Sequence, residues 1–250
     1  MSIGLYQSAS ALSALERWQD VVSQNITSSQ TTGYRKRTVS FSTQMSGELL
    51  PNPSGRAGQQ GGGMPMIFPK FNSGINFMTG ETQPTRRDLD VAIQGEGFFE
   101  VQMQDGSKAY TRSGEFRMRS DRTLVSTGGQ EVLSTAGNPI LFLPGGGDVS
   151  VNRDGTIFQG TTALGKIAVQ KFSDPATLKP IAGGYFLPAD NEAPEPVMEP
   201  ELLQGYLEGS NVSSLREMVD MVIISRAYEA NQKIISTVEQ TMQKTIDALG

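Results

Sequence analysis

Two proline-free stretches with helical periodicity, one at each end, constrain the fold of this chain more than any other feature. From Ser2 to about Thr27 the single glycine is Gly4, and apolar residues recur at Leu5, Leu12, Leu15, Val22 and Ile26. Steps of three, four and seven place such residues on one helix face. The polar run from Gln24 onward ends the pattern, and Gly33 marks a clear stop. At the other end, Ser214-Leu-Arg-Glu217 has the form of a capping box, with the serine accepting from the third helical amide and Glu217 reaching back. From there to Leu249 neither glycine nor proline occurs. Apolar positions run through Leu215, Met218, Val222, Ala227, Ala230, Ile234, Val238, Met242 and Ile246. The pattern predicts a helix of about 35 residues, roughly 50 Å long.

Between these ends all 13 prolines and most of the 28 glycines are found, among short alternating runs such as Asp88-Leu-Asp-Val-Ala-Ile and Phe98-Phe-Glu-Val-Gln-Met. Asp105-Gly106 and Asp154-Gly155 each sit between strand-like runs, a strong hairpin signal. The expected fold is α+β: long N- and C-terminal helices packed together, with a central antiparallel β domain. The expected boundaries are 1–33 for the first helix, 34–85 for an extended linker, 86–205 for the β domain and 206–250 for the last helical region. Narrow-striped helices are marginal alone in water, so both ends must pack on each other or on other chains. That pattern suits an assembling subunit.

Composition narrows the chemistry. With no histidine and no cysteine, the chain has no Ser-His or Cys-His nucleophile, no His-ligated zinc, no thiolate metal site and no disulfide. A net charge of −5 with both signs dispersed speaks against nucleic-acid binding. No run approaches the ~20 apolar residues that span a bilayer, and the N-terminus lacks the basic and apolar blocks of a cleaved signal. Gly95-Glu-Gly97 leads into a strand, so it reads as a tight entry, not a phosphate cradle. Asn152-Arg-Asp154-Gly155 fails as a calcium loop because Thr161 stands where the closing glutamate belongs. Asp88, Asp90, Glu96 and Glu100 are expected to be solvated, as are the basic runs Arg35-Lys36-Arg37 and Arg86-Arg87. No catalytic, cofactor or metal residue is expected.

Five motifs, in order along the chain, carry a resemblance. Ser23-Gln-Asn-Ile-Thr-Ser-Ser-Gln-Thr-Thr-Gly-Tyr-Arg35 follows the first helix, with Asn25, Thr31, Gly33 and Tyr34 at the matching positions. Ser23, Gln24, Thr27 and Ser28 depart from the pattern. Asp90-Val-Ala-Ile-Gln-Gly-Glu-Gly-Phe-Phe99 contains Gly95, Gly97, Phe98 and Phe99, and Tyr110-Thr-Arg-Ser-Gly-Glu-Phe116 contains Tyr110 and Arg112. Gly205-Tyr-Leu-Glu-Gly-Ser-Asn-Val212, with Ser210, Asn211 and Val212, precedes Arg226-Ala-Tyr-Glu-Ala-Asn-Gln-Lys233, with Arg226, Tyr228 and Glu229. Together they resemble the flagellar basal-body rod and hook family. The opening Ile3-Gly-Leu-Tyr-Gln-Ser-Ala-Ser10 and the length favour its proximal over its distal rod members.

The resemblance implies a structural subunit whose terminal helices form the inner wall of a tube crossing the periplasm, transmitting torque and conducting export. It implies partners among other rod proteins and copies of the chain, contact with the flagellar export apparatus, and export without signal cleavage. Phe41-Ser-Thr-Gln-Met45 has the short form that early flagellar export substrates carry. The apolar stripes named above are then the expected subunit interface. A β-branched residue at Gly33 is expected to impair assembly while leaving the β domain stable. A secreted β-domain adhesin with helical oligomerisation ends is the alternative reading.

Overall fold

A computed structural model describes residues 3–46, 66–189 and 193–249, with side-chain surroundings for 8–42, 71–189 and 193–247. The chain divides into two compact units. Residues 1–26, 37–74 and 214–250 form the first; residues 27–36 and 75–213 form the second.

The first unit holds α1 (Ile3–Thr27), β1 (Arg37–Ser46), β2 (Met66–Ile75) and α2 (Ser214–Leu249). The 36 residues of α2 make it about 54 Å long. Strands β1 and β2 pair as a two-stranded sheet. An isolated ribbon is barely stable, and this one leans on α1. Phe41 stacks edge-on against Trp18 at 5.8 Å and against Phe71 at 6.2 Å. The Arg17 guanidinium adds a cation–π contact 5.8 Å from the Phe71 ring. Among the described side chains of its helices, the buried apolar ones are Ala14 and Val22 on α1 and Ile224 on α2.

In the second unit the chain runs through β3 (Thr82–Pro84), β4 (Val91–Gln94), β5 (Phe98–Gln102), β6 (Lys108–Thr111), β7 (Phe116–Met118), β8 (Leu124–Ser126) and β9 (Glu131–Val132). It continues through β10 (Val149–Val151), β11 (Thr156–Gln159), β12 (Thr162–Lys166), β13 (Val169–Lys171) and β14 (Lys179–Ile181). Last come β15 (Tyr185–Leu187), β16 (Glu195–Pro196), β17 (Glu201–Gln204) and β18 (Tyr206–Glu208). The main sheet has the order β14-β15-β6-β5-β9-β8-β7, with β13 also pairing β5 and β16. Strands β10, β11 and β12 form a meander, β17 pairs β4, and β18 pairs β3. Every pairing among these strands is antiparallel.

Phe98 and Phe99 show how the core divides. Successive strand residues point to opposite faces. Phe99 therefore enters the main cluster with Val101, Phe116, Leu124, Ile157 and Leu202. Phe98 enters a second one with Tyr110, Phe172, Leu178 and Phe186, bordered by Phe77. Both expected hairpins form. Gly106 (φ 83°) closes the turn between β5 and β6, and Asp105 accepts from the Ser107 amide at 2.9 Å. Gly155 (φ 89°) and Asp154 repeat the arrangement between β10 and β11.

Three local expectations give way. The stretch 34–85 carries β1, β2 and β3; Phe41 packs on Trp18 of α1, and Phe71 packs on Phe41. The region expected to be helical from residue 206 starts with β18, which pairs β3 before α2 begins at Ser214. Asp90 and Glu100 are buried, not solvated; Glu100 pairs with Lys108 Nζ at 2.6 Å and accepts from Gln170 Nε2 at 2.7 Å. Burial, with Glu100 nearby, pushes the Tyr110 hydroxyl up to about 12. No helix among the described residues is long and apolar enough to cross a membrane.

Candidate functional site

In the first unit, α1 and α2 meet around one polar residue. Asn25 is almost fully buried. Its Oδ1 accepts from the Arg37 amide and its Nδ2 donates to the Arg37 carbonyl, each at 2.9 Å. Nδ2 also donates to the Glu217 carboxylate on α2 at 2.9 Å. An asparagine can thus mimic a strand edge, and it fixes where β1 starts relative to α1. Arg37 Nη1 returns to Gln24 Oε1 at 2.8 Å on the exposed side.

The sheltered side of α2 follows from that contact. Glu217 and Ile224 are buried, seven residues apart, and Met221, Tyr228, Asn231, Ile235 and Val238 continue the row half-covered. This is a helical seam of three- and four-residue steps. Of the stripe read from sequence, Val238 lies on this seam and Met242 and Ile246 continue its spacing, whereas Leu215, Met218, Val222 and Ile234 lie on other faces. Leu215, Met218, Val222, Ile234, Met242 and Ile246 are all exposed, Leu215 by 75%. On α1, Val22 is buried whereas Leu12, Leu15 and Ile26 are half-covered. Leu5 falls outside the residues whose side chains are described. Of the motif residues on α2, Tyr228 is half-covered and Arg226 and Glu229 are exposed.

The second unit has its own polar clamp. Gly33 adopts φ 68° and its amide donates to the Glu208 carbonyl at 2.8 Å. A Cβ there would stand 2.4 Å from the Ser113 nitrogen and 2.5 Å from the Arg112 carbonyl carbon. The Thr32 and Ser113 hydroxyls meet at 2.7 Å. Next to this turn, Arg35 and Arg112 both pair with Glu208, Arg112 Nε at 3.2 Å from its Oε2. The Glu208 carboxylate also accepts from the Gly80 amide at 2.8 Å, and Arg112 donates to the Gly95 carbonyl. Burial lowers the Arg112 guanidinium to about 10; Glu208 opposes that shift and Arg35 adds to it. Arg35 is thus a core cation, against the sequence expectation of a solvated run, because Glu208 is brought beside it.

Asn211 completes the clamp. Its Oδ1 accepts from the Lys36 amide at 2.6 Å, and its Nδ2 donates to the Asn76 and Met78 carbonyls at 2.9 and 2.8 Å. Ser210 Oγ accepts from the Val212 amide at 3.2 Å. Gly97, at φ 126°, is buried against Val169, and Gly95 has φ 99°. Phe98, Phe99 and Tyr110 are core residues. The motif residues before α2 and those after α1 thus meet in one place, which no spacing in the sequence could show. Glu208 was missed altogether, although its position inside the Gly205–Val212 motif was the available signal. No group of residues suited to holding a metal ion occurs among the described residues.

Residues 203–248 match the profile described as flagellar basal body rod FlgEFG protein C-terminal. Residues 92–159 match the flagellar hook protein FlgE/F/G D1 domain. The flagellar basal-body rod protein FlgF of Caulobacter vibrioides is 32% identical over 252 residues, covering 100% of this chain and 99% of that protein. The rod protein FlgG of Borreliella burgdorferi is 31% identical, covering 95% of each, and FlgG of Agrobacterium fabrum is 29% identical, covering 93% and 94%. A match of that identity along the whole chain shows that this chain belongs to the flagellar basal-body rod protein family.

Proposed function

We propose that this chain is a non-enzymatic structural subunit of the flagellar rod, polymerising through α1 and α2 into the axial tube that transmits torque and conducts export. The observation that carries this reading is the second apolar face of α2. One side of the helix is sheltered, with Glu217 bonded to Asn25 of α1 and Ile224 buried, while Leu215, Met218, Val222, Ile223 and Ile234 remain exposed on other sides. Large apolar side chains left exposed along a helix mark a protein contact when they cluster, as Leu215, Met218 and Val222 do. Its partners in this reading are other rod proteins and further copies of the chain, met after passage through the flagellar export apparatus.

Ile234→Asp tests the reading. Ile234 is half-exposed in the single chain, so the variant keeps its circular dichroism spectrum and its thermal midpoint. Within an assembled helix layer the new carboxylate would lack a partner, costing several kcal/mol at each contact. The expected outcome is loss of swimming and of the subunit from purified basal bodies, with the secreted level unchanged. Normal swimming would remove α2 from assembly.

A further inference from the structure

The clamp around Glu208 has charge left over. Two guanidinium groups share one carboxylate; Arg112 Nε faces Glu208 Oε2 at 3.2 Å, while Arg35 Nε and Arg112 Nη1 are buried with no hydrogen-bond partner among the described residues. Buried donors are nearly always satisfied, so this shortfall asks for an acceptor. Both arginines line a cleft of about 340 Å³ within the second unit. Phe77, Phe98 and Phe172 form its apolar side and Lys171 borders it. Arg112 Cζ lies 5.8 Å from the Phe98 ring, which holds the guanidinium plane in place. Glu96 also lines the cleft, and Glu195 sits 3.4 Å from Lys171 with both side chains half-exposed.

We propose that this cleft is an anion site that receives an aspartate or glutamate side chain from an adjoining copy of this chain. The surplus at the buried cluster is one positive charge, which one carboxylate balances and a doubly charged phosphate would exceed. A planar carboxylate also matches the fork of a guanidinium. The phenylalanine wall accepts the methylenes and apolar neighbours of such a side chain. A second copy is the fitting donor because the chain has 26 acidic against 21 basic residues, so copies present carboxylates in excess. The proposal rests on the rod-subunit reading for its occupant but not for the site itself.

The test uses sodium phenylacetate as probe and phenylacetamide as its neutral twin, titrated at fixed ionic strength into the 15N-labelled full chain. Phenylacetate is expected to shift the amides of Gly95, Gly97 and Phe98, with phenylacetamide at least about tenfold weaker. Lys171→Gln, at an exposed rim position, should weaken the probe about threefold, and Glu96→Gln should strengthen it by about as much. Phenylacetate, but not phenylacetamide, should also slow self-assembly followed by light scattering. Absent or equal binding of the two probes overturns the site. Binding with no slowing overturns the second copy as occupant and leaves a small carboxylate in its place. A wild-type chain that never self-assembles contradicts that occupant as well, while the titration still reads the site.

Discussion

A Gly33→Val chain is expected to lose about 3–5 kcal/mol of the stability of its second unit. Two costs add. Valine at φ 68° sits in the left-handed region that β-branched residues avoid, worth about 1–3 kcal/mol. Its Cβ would also stand 2.4–2.9 Å from backbone atoms of Arg112 and Ser113, which cannot step aside as a side chain tip can. The turn would have to lift, breaking the Gly33 amide bond to the Glu208 carbonyl and the Thr32–Ser113 contact. Urea unfolding followed by Tyr and Phe signals of the β domain measures it. The sequence alone suggested that the β domain would be spared. Its dependence on Gly33 arises because residues 27–36 belong to that unit. A midpoint shift worth under about 1 kcal/mol would contradict the packing described here.

Glu208→Gln should cost a similar amount, about 3–5 kcal/mol, for an electrostatic reason. Glutamine keeps the shape and can still accept from the Gly80 amide, but it no longer balances Arg35 and Arg112, which are buried on the same carboxylate. Removing one partner from a buried ion cluster strands charge in a medium that cannot solvate it. The order of variants is diagnostic. Arg35→Leu leaves Arg112 and Glu208 paired one to one, so it should destabilise less than Glu208→Gln. Chemical denaturation of the three proteins under one buffer checks the ranking. Equal losses would mean that the side-chain shapes, not the charges, hold the clamp.

The ends of the fold were legible because helical periodicity survives in any solvent-facing helix, and the hairpins were legible because Asp-Gly dictates its own backbone. The seam of α2 was not. Apolar residues lie on more than one of its faces, so hydrophobicity alone could not say which face α1 covers. Asn25 and Glu217 decide it, and a polar pair inside a helix contact leaves no apolar signal. Likewise Arg35 looked like surface because its partner Glu208 lies 173 positions away. Gly114 illustrates the same limit: its missing side chain matters because the Val91 carbonyl oxygen would lie 1.6 Å from a Cβ there, a contact between distant segments. The strands β1 and β2 escaped notice because their pairing depends on aromatic contacts with α1 more than on alternation.

Electron cryo-microscopy of basal bodies containing this chain tests its central assignment most directly. In the assembled rod, Leu215, Met218, Val222, Ile223, Ile234 and Ile246 should be buried against helices of neighbouring subunits, with α1 and α2 lining the inner layer. The β domain should lie outside them, with the Arg35–Glu208–Arg112 cluster intact. A rod in which these side chains of α2 stay open to solvent, and subunits meet through their β domains alone, would contradict the account.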